Sequence, residues 1–275
     1  MGIQSLGAYM NDPLRPVPDV LGRQGAATVF EHVARVGSTS AELMRRPFGP
    51  APATPVVLLA DTQDAGRGRN GRRWLSDPAR SATFSVAVER HGDGAALLGL
   101  PLAVGATIAD LLAARGARPL LKWPNDLWCE PPAGGAKAGG ILVEVRQLGA
   151  LQRVVVGCGL NLEPSEALDE AQVGQPLAAL FGPGAMPDRV ALARELGAAV
   201  AATVERFAAT GLAPWLDGWR ARDLLAGRPI EVLHPDGRRE AGIARGVDDD
   251  GALRVDLDDG RRERLIGGEV SVRRR

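Results

Sequence analysis

GRGRNGRRW, residues 66–74, places glycines at 66, 68 and 71 in the spacing G-x-G-x-x-G, and the element after this loop decides between two kinds of fold. A dinucleotide-binding loop of that spacing runs into a helix whose first amides hold a pyrophosphate. Here the chain goes on to ATFSVAVE (82–89), a short apolar run that predicts a buried strand. VVLLA (56–60), upstream, reads as another. The loop therefore joins strand to strand, Arg67 and Arg69 fill the sites between the glycines, and a Rossmann unit is excluded. A P-loop is excluded as well, because G-x-x-x-x-G-K-[ST] is absent. What remains is a glycine-rich turn with four fixed positive charges, Arg67, Arg69, Arg72 and Arg73, able to fold over polyphosphate. Taken alone, the segment fits a solvated basic turn or a nucleic-acid patch equally well.

Working outward, ATVFEHVARV (27–36) predicts a strand and STSAELMRR (38–46) a helix, with Thr39 and Glu42 at capping-box spacing. Residues 95–115 form an apolar helical pattern, and KAGGILVEVR (137–146) and LQRVVVGCGLNL (151–162) read as paired strands. Residues 187–210 and 212–224 read as two further helices. From Gly227 the rhythm changes: PDGR, DDDG and DDG separate the short runs PIEVL, LRVDL and EVSVR. Turn clusters at that spacing predict a small antiparallel barrel of about fifty residues.

The chain has 275 residues, 45% hydrophobic and 24% charged, which suits an α+β protein of two unequal domains with a sizeable core. The boundaries expected are a loose N-terminal segment over 1–25, a large domain over 26–224 and a small one over 225–275. Formal net charge is zero, so binding of nucleic acid would need a local patch. Cys129 and Cys158 stand singly, which suits reduced thiols in a cytoplasmic protein better than a disulfide framework or zinc site. The three histidines, His32, His91 and His234, have no ligand spacing and receive no role. Residues 1–23 lack the pattern of a signal peptide, and no run is long enough to span a membrane.

The loop at 66–74 resembles the signature loop of biotin protein ligases. KWPND (122–126), KAGGILVE (137–144), GCGLNL (157–162) and, in the small domain, GGEVSVR (267–273) match in order, so the resemblance covers roughly residues 29–275. It implies a catalytic domain of mixed β-sheet with flanking helices, similar to class II aminoacyl-tRNA synthetases, followed by an SH3-like barrel. It also implies an activity: biotinyl-5'-adenylate is made from biotin and ATP with Mg2+, and biotin passes to a lysine of a biotin carboxyl carrier domain. No resident metal is implied.

The resemblance further assigns roles. Lys137 lies against the α-phosphate, and Arg67, Arg69 and Arg72 contact carboxylate and phosphates as the loop orders. Ser38, Thr39 and Gln63, with backbone near Gly66, hold the ureido ring of biotin, one of the two hydroxyls also capping the helix. Trp74 and Asn161 receive adenine. Asp126 orients or deprotonates the acceptor amine, and Lys122 holds phosphate or pairs with Asp126. Glu269 and Arg273 reach toward nucleotide or acceptor, or form a structural ion pair. Ser40 stands where many family members carry Asn, which leaves its role undefined. Singly, each residue has a plainer reading: Trp74 as core, Asn161 as a strand end, Lys137 as a loop lysine, and Trp123, Pro124 and Asn125 as a rigid turn. The rival activities are a lipoate or octanoate ligase or transferase, a DNA-binding repressor and a silent binding module. A repressor is disfavoured by the short, proline-rich segment ahead of the first strand. The family differs in oligomeric state, so a homodimer is admitted and not required.

Overall fold

A computed structural model describes residues 28–49, 53–92, 97–129, 135–168, 170, 174–267 and 271–274. The expected N-terminal segment over 1–25 and Glu269 lie outside the described residues, and of Arg273 only the backbone is described.

Seven strands build the larger sheet: β1 (Val29–Val36), β2 (Val56–Gln63), β3 (Ser81–His91), β4 (Leu120–Lys122), β5 (Asp126–Cys129), β6 (Ala136–Leu148) and β7 (Leu151–Asn161). Their order is β1-β2-β3-β7-β6-β5-β4. β1 and β2 run parallel because α1 (Thr39–Arg45) lies between them as a crossover, and the other neighbours are antiparallel. The loop at 66–74 connects β2 to its antiparallel neighbour β3, as expected from the apolar run after it.

Alternation along the central strands sends successive side chains to opposite faces. Val57, Leu59, Phe84, Val86, Val154 and Val156 join the main core, to which α2 (Leu100–Ala113) and α3 (Arg189–Thr210) contribute Ala103, Val104, Ile108, Leu196 and Val200. Leu58, Ala60, Ala87 and Val155 face the other way, against Leu43 of α1. Helices thus cover both faces, which is why β3 and β7 read as continuous apolar runs. Gly197 lets α3 come close to the sheet: a Cβ there would lie 2.5 Å from Val57 Cγ1.

Three sequence expectations change. The N-cap of α1 is Ser38, whose Oγ accepts from Ala41 N at 3.3 Å; Thr39 is the first helical residue and Glu42 pairs with Arg45 and Arg46, so no capping box forms between Thr39 and Glu42. α2 starts at Leu100, after Gly99 at φ 84° and with Pro101 in its first turn. The helix expected over 212–224 is a 3-10 turn at Ala213–Trp215 and a short α4 (Leu216–Arg220), because Pro214 and Gly218 interrupt the pattern.

The C-terminal strands β8 (Pro229–Leu233), β9 (Arg239–Val247), β10 (Leu253–Leu257), β11 (Arg262–Leu265) and β12 (Ser271–Arg274) form a separate antiparallel sheet in the order β11-β10-β9-β8-β12. The three turn clusters expected there each place a glycine in the left-handed region: Gly237 at φ 88°, Gly251 at 88° and Gly260 at 89°. Trp123 ties the two sheets together. Its ring is buried and its Nε1 donates to Gly251 O at 3.0 Å. Trp123→Phe keeps an aromatic ring in place and removes the donor, and is expected to cost about 1 kcal/mol for the lost bond, with a further loss for the smaller ring, by urea unfolding. A change of under about 0.3 kcal/mol would mean that the bond has no net effect.

Among the described residues no helix is long and apolar enough to cross a membrane. Cys158 is buried and Cys129 half-buried, both as free thiols, and burial alone pushes Cys129 up to about 11.

Candidate active site

One cleft of about 1270 Å³ opens on the face of the large sheet that carries the start of α1, bounded by the loop at 66–74, the KWPND turn and the ends of β6 and β7. Every candidate residue expected in the large domain lines it except Gly66, which sits behind Trp74. Among the described residues, six cationic side chains, Arg67, Arg69, Arg72, Arg73, Lys122 and Lys137, line the cleft together with a single carboxylate, Asp126. Such a surface raises the local concentration of polyanions.

The loop is an ordered hairpin. Gly68 N donates to Arg72 O at 2.7 Å, Trp74 N donates to Gly66 O at 2.9 Å, and Arg67 bridges to Arg73. Asn70 at φ 55° and Gly71 at 71° turn its tip. Gly66 is required because a Cβ there would sit 2.6 Å from Trp74 O. Arg67 pairs with Glu144 at 2.9 Å, Arg73 reaches Asp64 O at 3.5 Å, and Arg72 is exposed. Arg69 is drawn inward: Nη1 donates to Asn125 Oδ1 at 2.9 Å, while Nη2 is buried without a hydrogen-bond partner among the described residues. Burial holds its guanidinium below the ordinary arginine range, opposed by the charge of Asp126.

Lys137 Nζ lies 2.7 Å from Asp126 Oδ1. The two strands bring them together, since Asp126 pairs with Gly140 in register across β5 and β6, and a Cβ at Gly140 would meet Lys137 Nζ at 3.4 Å. Lys137 is thus a cation on Asp126, while Lys122 stands opposite Asp126 in the register of β4 and β5. Lys122 is buried, with its Nζ 4.9 Å above the Trp128 ring.

Trp74 lies against Gly159, where a Cβ would come within 2.2 Å of the indole, and its Nε1 is buried without a partner among the described residues. Asn161 ends β7: its Nδ2 donates to Ala178 O at 3.4 Å, and its Oδ1 is buried without a hydrogen-bond partner among the described residues. Buried polar atoms left unpaired in a cleft are the groups a ligand satisfies. Ser38 caps α1, while Thr39 bonds Gln63: Thr39 N donates to Gln63 Oε1 at 2.7 Å and Thr39 Oγ1 donates to the same oxygen at 3.0 Å. The Ser38 hydroxyl thus caps the helix, and Thr39 lines the cleft.

Two residues escaped the sequence reading. Asn125, read there as part of a rigid turn, clamps three elements: it accepts from Arg69, its Nδ2 donates to Ile141 O at 2.8 Å, and its O accepts from Ile141 N at 2.9 Å. Ser85, fully buried in β3, bonds both Thr39 and Ser40. The available signal was the pair Thr83 and Ser85, two residues apart in an otherwise apolar strand.

Asp126 gives the cleft one carboxylate among the described residues, already committed to Lys137. That donor set fits a Mg2+ ion arriving on ATP phosphates with its own water, and not a resident ion. Elsewhere, folding brings His234, Glu240 and Glu263 within 4.8 Å of one another although their sequence spacing suggests nothing. Arg261 bonds both carboxylates there, and none of the three lines the cleft.

The biotin/lipoate A/B protein ligase family model matches residues 34–161, and that of the biotin protein ligase C-terminal domain matches residues 226–273. The chain is 35% identical over 272 residues to biotin--[acetyl-CoA-carboxylase] ligase of Mycobacterium tuberculosis, covering 94% of this chain and 97% of that protein. It is 36% identical over 219 residues to the bifunctional ligase/repressor BirA of Escherichia coli, covering 79% of this chain and 66% of BirA, and so spans just under two thirds of that relative's length. Among solved structures, biotin protein ligase from Aquifex aeolicus in complex with biotin and ATP shares the fold, with a TM-score of 0.70 at 22% identity over 90% of this chain and 99% of that one. Matched along both sheets by family models, and along nearly its whole length by a curated relative, the chain belongs to the biotin protein ligase family.

Proposed function

We propose that this chain is an ATP-dependent biotin protein ligase that forms biotinyl-5'-adenylate and transfers biotin to a lysine of a biotin carboxyl carrier domain. The observation that carries the reading is one cleft joining a polar array at Thr39 and Gln63 to six cations and the Lys137–Asp126 pair.

In the first step a carboxylate oxygen of biotin attacks the α-phosphorus of ATP and pyrophosphate leaves. Two anions must meet, so the residues that matter are cations held in a site with little water. Lys137 turns from Asp126 to the α-phosphate, and Arg67, Arg69 and Arg72 neutralise carboxylate and phosphates. A Mg2+ ion arriving with ATP would supply charge screening for the leaving pyrophosphate. Trp74 and Asn161 receive adenine, while Ser38, Thr39, Gln63 and the backbone at Gly66 receive the ureido ring. Lys122 supports phosphate from below.

The product is a mixed anhydride that water would hydrolyse, so the arginine loop stays closed until the acceptor arrives. In the second step the acceptor amine attacks the anhydride carbonyl and AMP leaves. That amine, with a reference pKa of about 10.4, must lose a proton, and Asp126, released by Lys137, takes or orients it. On the same reading the chain divides near residue 225, the small sheet closes into an SH3-like barrel, the large domain is related to class II synthetases, and the protein works in the cytoplasm without DNA.

The test is transfer of labelled biotin to a carrier domain with ATP and Mg2+, with and without excess lipoate. Labelling that lipoate does not suppress supports the ligase. Absence of labelling, or suppression by lipoate, favours a lipoate or octanoate ligase instead.

A further inference from the structure

Ser85 lies at the centre of a chain of buried hydroxyls, and every proton in that chain can be assigned. Gln63 Oε1 accepts from Thr39 N at 2.7 Å, and since a backbone N–H can only donate, the carboxamide orientation is determined. The same oxygen lies 3.0 Å from Thr39 Oγ1, so Thr39 spends its single proton there. Ser85 Oγ, 2.7 Å from Thr39 Oγ1, must then donate to it. Ser40 Oγ, 2.9 Å from Ser85 Oγ, must in turn donate to Ser85. Room for this last contact depends on Gly157, the cross-strand partner of Ser85, because a Cβ there would lie 2.5 Å from Ser40 Oγ.

We infer that Ser85 is a positioning residue that orients the Thr39–Gln63 array for a cyclic urea, an inference that rests on the proposed biotin ligase activity. With its proton committed to Gln63 and one lone pair taken by Ser85, Thr39 Oγ1 presents only acceptor capacity to a ligand. Gln63 Nε2, lying beside Gly66 where a Cβ would come within 2.9 Å of it, presents only donors. An acceptor next to a donor matches the N–H and C=O of a ureido edge. A dithiolane or alkyl chain offers neither group and leaves both polar atoms unpaired, which costs far more than a missing methylene would. Ser85 is fully buried at the back of the cleft, bonded to Thr39 and Ser40. It acts by holding the Thr39 hydroxyl in the one rotation that serves Gln63.

The experiment measures carrier labelling at varied biotin and varied ATP for wild type, Ser85→Ala, Ser85→Cys and Ser40→Ala, with thermal melting of each. Ser85→Ala is expected to raise KM for biotin about tenfold, the worth of one hydrogen bond. KM for ATP and kcat at saturating biotin stay within about twofold. Ser85→Cys, a weaker donor, shows a smaller rise. Ser40→Ala removes the far end of the chain and raises KM for biotin about threefold, which tests the relay should Ser85→Ala fold poorly. An unchanged KM for biotin in the folded variants, or a parallel rise in KM for ATP, overturns the role of Ser85 and leaves the ligase reading standing. A wild type that neither binds nor transfers biotin overturns both.

Discussion

Lys137→Ala is expected to slow adenylate formation by about 10²–10³-fold, the usual cost of removing one preorganised donor from a site where charge develops. On the proposed role of Lys137 the loss falls on kcat, because an ammonium at the α-phosphate acts most strongly as negative charge grows there. Geometry gives the effect a second component. Lys137 Nζ lies 2.7 Å from Asp126 Oδ1, and both side chains are mostly covered, at 16% exposure each. Without the lysine, Asp126 loses its cation at 2.7 Å and keeps the charge of Arg69 nearby. Its negative charge then opposes ATP phosphates that Lys137 would have screened. Lys137→Arg is expected to rescue little, since a planar fork cannot replace a point charge where Gly140 leaves a space shaped for the lysine stem. Pyrophosphate release in single-turnover mixing, with biotin and ATP saturating, checks the prediction. A fall of less than about threefold in the folded variant would remove Lys137 from the chemistry.

Arg69→Gly is expected to speed release of the adenylate by about 10- to 100-fold, the worth of a hydrogen bond to a charged group of about 1.5–3 kcal/mol. Arg69 attaches the loop to the KWPND turn, beside the exposed Arg67–Glu144 pair: its Nη1 donates to Asn125 Oδ1, and Asn125 is itself held by Ile141 in β6. Cutting that link frees the hairpin tip, and the added glycine widens its conformational range. The unliganded protein should not lose stability. Burial is the main influence on the Arg69 guanidinium and acts against its charge, and Nη2 has no hydrogen-bond partner among the described residues. The variant thus sheds a desolvation cost along with one bond, so its melting temperature is expected to stay level or rise. Preformed labelled adenylate, chased with excess unlabelled biotin and ATP, gives the release rate directly. Retention equal to wild type would refute the tethering role. A large drop in melting temperature would instead make Arg69 a structural residue.

Local sequence determined a good part of this molecule. The strand after GRGRNGRRW excluded a dinucleotide fold because a polar-to-apolar switch of period and length is readable within about ten residues. The turn clusters of the C-terminal sheet were equally legible, since Gly237, Gly251 and Gly260 occupy backbone regions that other residues avoid. Ordered motifs carried the family. Partnership within the site was not legible, because it depends on register and on which neighbours share a face. Lys122 and Asp126 sit in one motif and face each other across β4 and β5, but the contact of Asp126 with Lys137 of β6 depends on the room left by Gly140. Thr39 and Glu42 have capping-box spacing, yet the chain enters α1 one residue earlier and Thr39 turns to Gln63. Ser85 looked like one polar residue in an apolar strand until β3, α1 and β2 were packed together. Helix and strand periods are written in near neighbours, whereas the direction of a proton in the Ser40–Ser85–Thr39–Gln63 chain is set by groups up to 46 residues apart, which only the tertiary structure brings within hydrogen-bond distance.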